Sequence, residues 1–225
     1  MKKLILILLL STNFLYSQSS LTVTILHCKD LDDTYVFGFN EIVLYKNDSI
    51  YKIDNSNIEV KFFENLPEGK YNIKYKTFFG EVASESFDLN SKKPTHSVDL
   101  CIDELKKEIR NETKNLFIQR LKNDESIIIS CNYSGCFSGS SHQMIVTKKK
   151  DKLYLTYNGI NKKLNKNEIS SLTDYEMELR NLKEANFMST ANQSNEMKYK
   201  EEIFSFKINP FWSGFQNLKN GLNLK

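Results

Sequence analysis

The stretch SCNYSGCFSGSSHQ, Ser130 to Gln143, gathers two cysteines, a histidine and five serines within fourteen residues. Three chemistries suit that set. A metal site would draw on Cys131, Cys136 and His142 in a C-x4-C-x5-H spacing. Structural zinc prefers closer cysteine pairs and a fourth ligand, and the other histidines, His27 and His96, lie far off in the sequence, so no metal is assigned. A thiol site would use Cys136 or Cys131 as nucleophile, or a neighbouring serine, with His142 to take the proton. A disulfide would simply staple the loop. No G-x-S-x-G elbow, H-E-x-x-H pair or C-x-x-C redox motif occurs in the chain.

The compartment weighs on that choice. Lys2 and Lys3 precede an unbroken apolar run from Leu4 to Leu10, and polar or small residues follow to Ser17. That is the pattern of a secretory signal peptide over residues 1–17, with a core too short to span a bilayer. Export to the periplasm or beyond is therefore expected, without stable membrane insertion after cleavage. The chain has four cysteines, and oxidising compartments favour pairing. Four cysteines allow three connectivities, and the expected pairs are Cys28 with Cys101 and Cys131 with Cys136, each pair lying within its own half of the chain. Without Lys2 and Lys3, 29 basic residues face 28 acidic ones, a net charge of +1. That near-neutral balance gives no support to nucleic-acid binding. The one basic cluster, Lys148 to Lys150 with Lys152, falls between two strand-like segments and reads as a solvated turn.

Two domains are expected to carry these residues. Seven short alternating segments lie over 21–102: LTVTILHC, NEIVLYK, SIYKID, IEVKFFENL, KYNIKYKTFF, ESFDL and SVDLCI. Their alternation and turn spacing predict an all-β sandwich. Pro67-Glu68-Gly69 sets a tight turn, and Tyr71, Ile73 and Tyr75 alternate after it. Tyr71, Tyr75, Phe78 and Phe79 read mostly as core, with an exposed contact tip at Phe78-Phe79-Gly80 as the alternative. Asp30, Asp32 and Asp33 with Asn40 lack the spacing of a calcium loop.

Phe63, Leu66, Pro67, Gly69, Tyr71 and Ile73 resemble the F-x-x-L-P-x-G-x-Y-x-I signature of carboxypeptidase-regulatory-like, transthyretin-like β-sandwich domains. The resemblance covers about eighty residues. It implies a spacer or a protein- or glycan-contacting module, and no catalytic residues. The segment KDLDDTYVFGFNEIVLY departs from the short turn usual after the first strand of that family.

Charged helical spacing at Leu105, Ile109, Leu116 and Leu121 predicts a connecting helix over 103–125. A small α+β domain is expected over 126–225, an antiparallel sheet with helices on one face. Its helices are read from Ile169, Leu172, Tyr175, Leu179 and Leu182, and from Phe215, Leu218 and Leu222 with Ser213 as cap. Gly135-Cys136-Phe137 and Trp212-x-Gly214-Phe215-x-x-Leu218 resemble small C-terminal domains of uncharacterised exported bacterial proteins. The expectation from all this is an exported, non-enzymatic binding or structural protein with a protein or glycan partner and no cofactor. The alternative is a hydrolase or transferase using Cys136 or a serine with His142.

Overall fold

The structure, a computed structural model, describes residues 19–28, 41–56, 58–90, 92–105, 115–135, 139–182, 192–208 and 212–224. It is dominated by β-structure in three sheets, with few helices. The chain divides into two compact units. The first holds residues 19–26, 41–76 and 82–101; the second holds 27–28, 77–81 and 102–224. The proposed leader lies outside the described residues, as do Asp30, Asp32, Asp33 and Asn40.

Unit 1 is made of β1 (Ser19–Leu26), β2 (Ile42–Lys46), β3 (Ser49–Asp54), β4 (Val60–Leu66), β5 (Gly69–Lys76), β6 (Val82–Leu89) and β7 (Thr95–Cys101). Its three-stranded sheet runs β4-β1-β7 and its four-stranded sheet β3-β2-β5-β6. Strict alternation on β1 sends Leu21, Val23 and Ile25 inward, where Ile42, Leu44, Phe63, Ile73 and Leu100 are also buried. Aromatic stacking joins the sheets: the Phe87 ring of β6 lies 4.8 Å from His96 of β7 and 5.6 Å from Tyr71 of β5.

Turn chemistry sets the registers. Asn47 and Asp48 both take positive φ, the mirror-image turn that suits strand twist between β2 and β3. Gly69 has φ +146°, a conformation that favours glycine, while the Lys46 side chain 2.9 Å from a Cβ there is flexible enough to move aside. The Tyr71 hydroxyl donates to the Pro67 carbonyl at 2.6 Å and ties the turn down. Phe78 and Phe79 are buried, at 4% and 3% exposure, in line with the core reading, and the alternative of an exposed tip is not formed. The Phe78 N–H donates to Ile102 O and its ring packs on His27, which draws the segment inward.

Unit 2 is built on a six-stranded antiparallel sheet. Its strands are β8 (Ser126–Ser134), β9 (Gly139–Lys149), β10 (Lys152–Tyr157), β11 (Ile160–Lys163), β12 (Asn192–Tyr199) and β13 (Glu202–Ile208), in the order β11-β10-β9-β8-β12-β13. The helices are α1 (Phe117–Arg120), α2 (Lys166–Asn181) and α3 (Gly214–Gly221). One sheet face is buried through Ile127, Ile129, Cys131, Met144, Val146, Leu155, Met197 and Tyr199. The helices meet residues of that same face, with Phe117 against Tyr199 and Phe204, and Phe215 against His142.

Of the connecting helix expected over 103–125, residues 106–114 lie outside the described residues, and α1 is the part described as helical. Asp103 is instead engaged by the Cys28 N–H, and residues after Arg120 bend at Asp124 (φ 66°) to exchange backbone hydrogen bonds with Lys148. EMKYKEEIFSFKIN is two strands, turned at Lys200 (φ 56°). Ser213 occupies the N-cap position of α3 but makes no capping hydrogen bond.

Helix α2 begins on a full capping box. Asn165 accepts from the backbone of Asn167 and Glu168, and the Glu168 carboxylate returns to the Asn165 N–H. Glu176, 1% exposed, accepts the N–H groups of Phe117 (2.6 Å) and Ile118 (3.2 Å) and pairs with Arg180. The first donors of α1 are thus satisfied by a side chain of α2, and the Arg180 guanidinium lies over the Phe204 ring at 4.0 Å.

Candidate functional site

The SCNYSGCFSGSSHQ segment is a hairpin rather than a loop. Ser134 pairs with Gly139, and Cys131 pairs directly with His142. On its other side Cys131 pairs with Asn195 of β12. Cross-strand partners share a face, so His142, Cys131 and Asn195 form a polar row across three strands of the helix-covered side.

The cysteines divide. Cys28 and Cys101 are disulfide-bonded, whereas Cys131 is a buried free thiol. The expected bridge from Cys131 to Cys136 is therefore not made. Cys136 itself lies outside the described residues.

Around Cys131 the polar groups are closely arranged. Gln193 Nε2 donates to Cys131 Sγ at 3.5 Å and to Asn195 Oδ1 at 3.2 Å. The sequence-predicted base, His142, turns its Nδ1 to the Tyr157 hydroxyl at 3.0 Å and lays its ring on Phe215, with centroids 5.7 Å apart. Burial pushes the Cys131 thiol up, against the smaller opposing effects of the Gln193 hydrogen bond and the Lys219 charge. A neutral, enclosed thiol is a poor nucleophile.

The helices close the cluster with more polar groups. Tyr175 of α2, 3% exposed, stacks on Trp212 with centroids 5.5 Å apart, and Trp212 Nε1 donates to Glu178 Oε2 at 3.3 Å. Burial, then the neighbouring Cys131 and Glu178, raise the Tyr175 phenol well above its ordinary value. Tyr175 Oη and Asn195 Nδ2 are both buried without a hydrogen-bond partner. Gly214 admits the Trp212 ring, since a Cβ there would lie 2.0 Å from it. Sequence reading placed Tyr175 on an apolar helix stripe and missed Gln193, Asn195 and Glu178. Their one signal was parity: Gln193 and Asn195 share a strand face with Met197 and Tyr199.

The remaining histidines are packed apart from this cluster, His27 against Phe78 and His96 on Phe87. Among the described residues no group of three or more His, Cys, Asp or Glu side chains is placed to hold a metal ion.

Unit 1 offers a different kind of surface. Ile50 (59% exposed), Tyr51 (43%) and Ile53 (48%) lie on β3, Ile58 (60%) follows it, and Phe62 (66%) lies on β4. Both strands are sheet edges. They are held together by Lys61, whose buried ammonium pairs with Asp54 at 2.9 Å and donates to Ser56 Oγ at 3.1 Å. Burial alone would raise the Asp54 carboxyl, but hydrogen bonds from Ser56 and Lys61 outweigh it and hold the group below its usual range.

Comparison with family models, curated proteins and solved structures finds no match to this chain.

Proposed function

We propose that this chain is an exported binding protein, with no catalysis of its own, that engages a protein partner through the β3–β4 flank of unit 1. The observation that carries the reading is the set of five large apolar side chains exposed on and between two neighbouring edge strands. Open edges offer main-chain donors and acceptors to an added strand, and exposed Ile and Phe supply burial for it. The resemblance of unit 1 to carboxypeptidase-regulatory-like sandwiches agrees with a contact module. The disulfide-bonded Cys28 and Cys101 agree with an oxidising compartment, and among the described residues no helix is long and apolar enough to cross a membrane. The hydrolase or transferase alternative, with Cys136 or a serine working with His142, draws less support because the His142 Nδ1 is engaged by Tyr157.

The test is affinity purification of the tagged, exported chain from the cell envelope of its source, beside an Ile53→Lys/Phe62→Lys variant. A partner retained by the native chain and lost by the variant, with unchanged thermal unfolding, is expected. Equal retention of every partner by both forms contradicts the proposal.

A glycan partner is the second reading. It rests on a basin of about 720 Å³ over β2, β5 and β6, lined by Tyr45, Asn72, Lys74, Ser86 and Asp88 among others. Glycan-array binding that Asn72→Ala abolishes would favour it.

A further inference from the structure

The helices of unit 2 lie against one face of its six-stranded sheet, and charge is divided across that sheet. Glu168, Glu176 and Glu178 belong to α2 on the covered side. Strand alternation turns the residues between the buried Ile127, Ile129 and Cys131 the other way, together with their cross-strand partners. Among the described residues of that open face none is buried. It carries Lys149, Lys152, Lys163, Lys198 and Lys207 against a single acid, Glu196. The near-neutral balance of the whole chain conceals this separation. Lys149 and Lys152 come from the basic turn and are paired directly across β9 and β10, a juxtaposition of like charges that a bound anion would relieve. None of the five lysines is ion-paired among the described residues, whereas Lys162, on the covered side, pairs with Glu168 at 2.7 Å.

The neutral residues of the open face form rows. Register aligns Gln143, Ser130, Glu196 and Ser205 across four strands, with Ser141, Asn132 and Ser194 beside them. Ser141 Oγ donates to Asn132 Oδ1 at 2.6 Å, which fixes both side chains. Side chains in such a row recur at the strand spacing of about 4.8 Å, close to the length of one pyranose unit. Hydroxyl and amide groups donate and accept, as sugar hydroxyls do, and ammonium groups match carboxylates. Apolar reach is small: Ile128 and Ile145 are half-buried, and Ile203, at 51%, is the one large apolar side chain exposed on the described part of this face. A membrane surface would call for a broader apolar face, and a nucleic-acid strand for several stacking aromatics where this face has the half-buried Tyr154. We infer that the open face of this sheet binds an acidic polysaccharide, its carboxylates held by the lysines and its hydroxyls by the serine, asparagine and glutamine rows. The site is separate from the β3–β4 flank and does not depend on it.

The test is binding of the full exported chain to immobilised polygalacturonate and hyaluronate, beside dextran, poly-L-glutamate and phosphatidylglycerol vesicles. Saturable binding to an acidic polysaccharide, tighter than to the other three surfaces and fading as salt is raised, is expected. Lys152→Gln/Lys163→Gln/Lys207→Gln, at exposed positions, should weaken it by roughly tenfold, the combined loss of three exposed ion pairs. Lys76→Gln/Lys92→Gln/Lys93→Gln removes the same charge from exposed positions of unit 1 and should leave affinity within about twofold. Asn132→Ala/Gln143→Ala should weaken the polysaccharide without changing the response to poly-L-glutamate, and every variant should keep its thermal unfolding. Equal or tighter binding to poly-L-glutamate would assign the face to an acidic protein, and preference for the vesicles would assign it to a membrane; either overturns the inference. Equal losses in the two lysine triples, or no saturable binding to either acidic polysaccharide, would overturn it as well.

Discussion

In unit 1 the interior is built from Leu21, Val23, Ile25, Phe63 and Ile73, while Phe62 and Ile58 stand 66% and 60% exposed on the flank. In unit 2 nearly every large apolar side chain is buried, and the unusual residues are the polar ones beneath the helices: Cys131, Asn195, Tyr175, Glu176 and Glu178. Exposed apolar groups gain by being covered, which suits contact with another macromolecule. Buried polar groups gain by being satisfied, which suits either internal fastening or a small polar ligand. Glu176 is the first case, with four hydrogen bonds to Phe117, Ile118 and Arg180. The Tyr175 hydroxyl is the opposite case, buried with no hydrogen-bond partner among the described residues.

The largest expected effect separates these cases within unit 2. Glu176→Ala leaves two backbone donors and the Arg180 guanidinium without their acceptor, and should lower stability by about 3–5 kcal/mol in denaturant unfolding. Glu176→Gln, which keeps an acceptor, should lose less. If Glu176→Ala is harmless, the carboxylate is not the fastening described.

Next in size is the disulfide. Replacing Cys28 and Cys101 by serine should cost about 2–4 kcal/mol, read as a lower unfolding temperature that reductant reproduces in the native chain. By contrast, Cys131 should resist iodoacetamide in the folded protein and label on denaturation, because its thiol is enclosed and held protonated.

A smaller effect is set by Glu125, whose carboxyl is held down at about 2 by hydrogen bonds from Lys200 first, then Tyr199 and the Lys122 backbone. A depressed carboxyl contributes stability that is fully present above its unfolded value and lost as the pH falls through the folded one. Stability should therefore decline between about pH 4.5 and pH 2. Lys200→Met should flatten that part of the profile, measured by denaturant unfolding at each pH.

Smallest in stability are the flank variants. Ile53→Lys and Phe62→Lys remove no buried contact and should change unfolding by no more than about 0.5 kcal/mol, while abolishing partner binding. A large loss of stability would move these residues from contact surface to core.

The strands of unit 1 were readable because half-buried strands alternate visibly, as in LTVTIL and KYNIKYK. Which strands become edges was not, since Ile50 and Ile53 look like core residues until the order β3-β2-β5-β6 leaves them outside. In unit 2 the turn at Lys200 and Glu201 carries neither glycine nor proline, so the boundary between β12 and β13 is unmarked in the sequence. The short β11 gave too few residues for a period to register. The polar cluster was the least legible part. It requires residues separated by as many as 64 positions, Cys131 and Asn195, to be paired side by side, and no local pattern encodes that register.

The flank is the centre of this account, and a photo-reactive amino acid at position 62 of the exported chain tests it most directly. The expected result, on irradiation in the native envelope, is a discrete adduct with a second protein that mass spectrometry identifies, absent when the same probe replaces the exposed Lys122. No adduct at position 62, or the same adducts from both positions, would contradict a specific contact surface on β3 and β4.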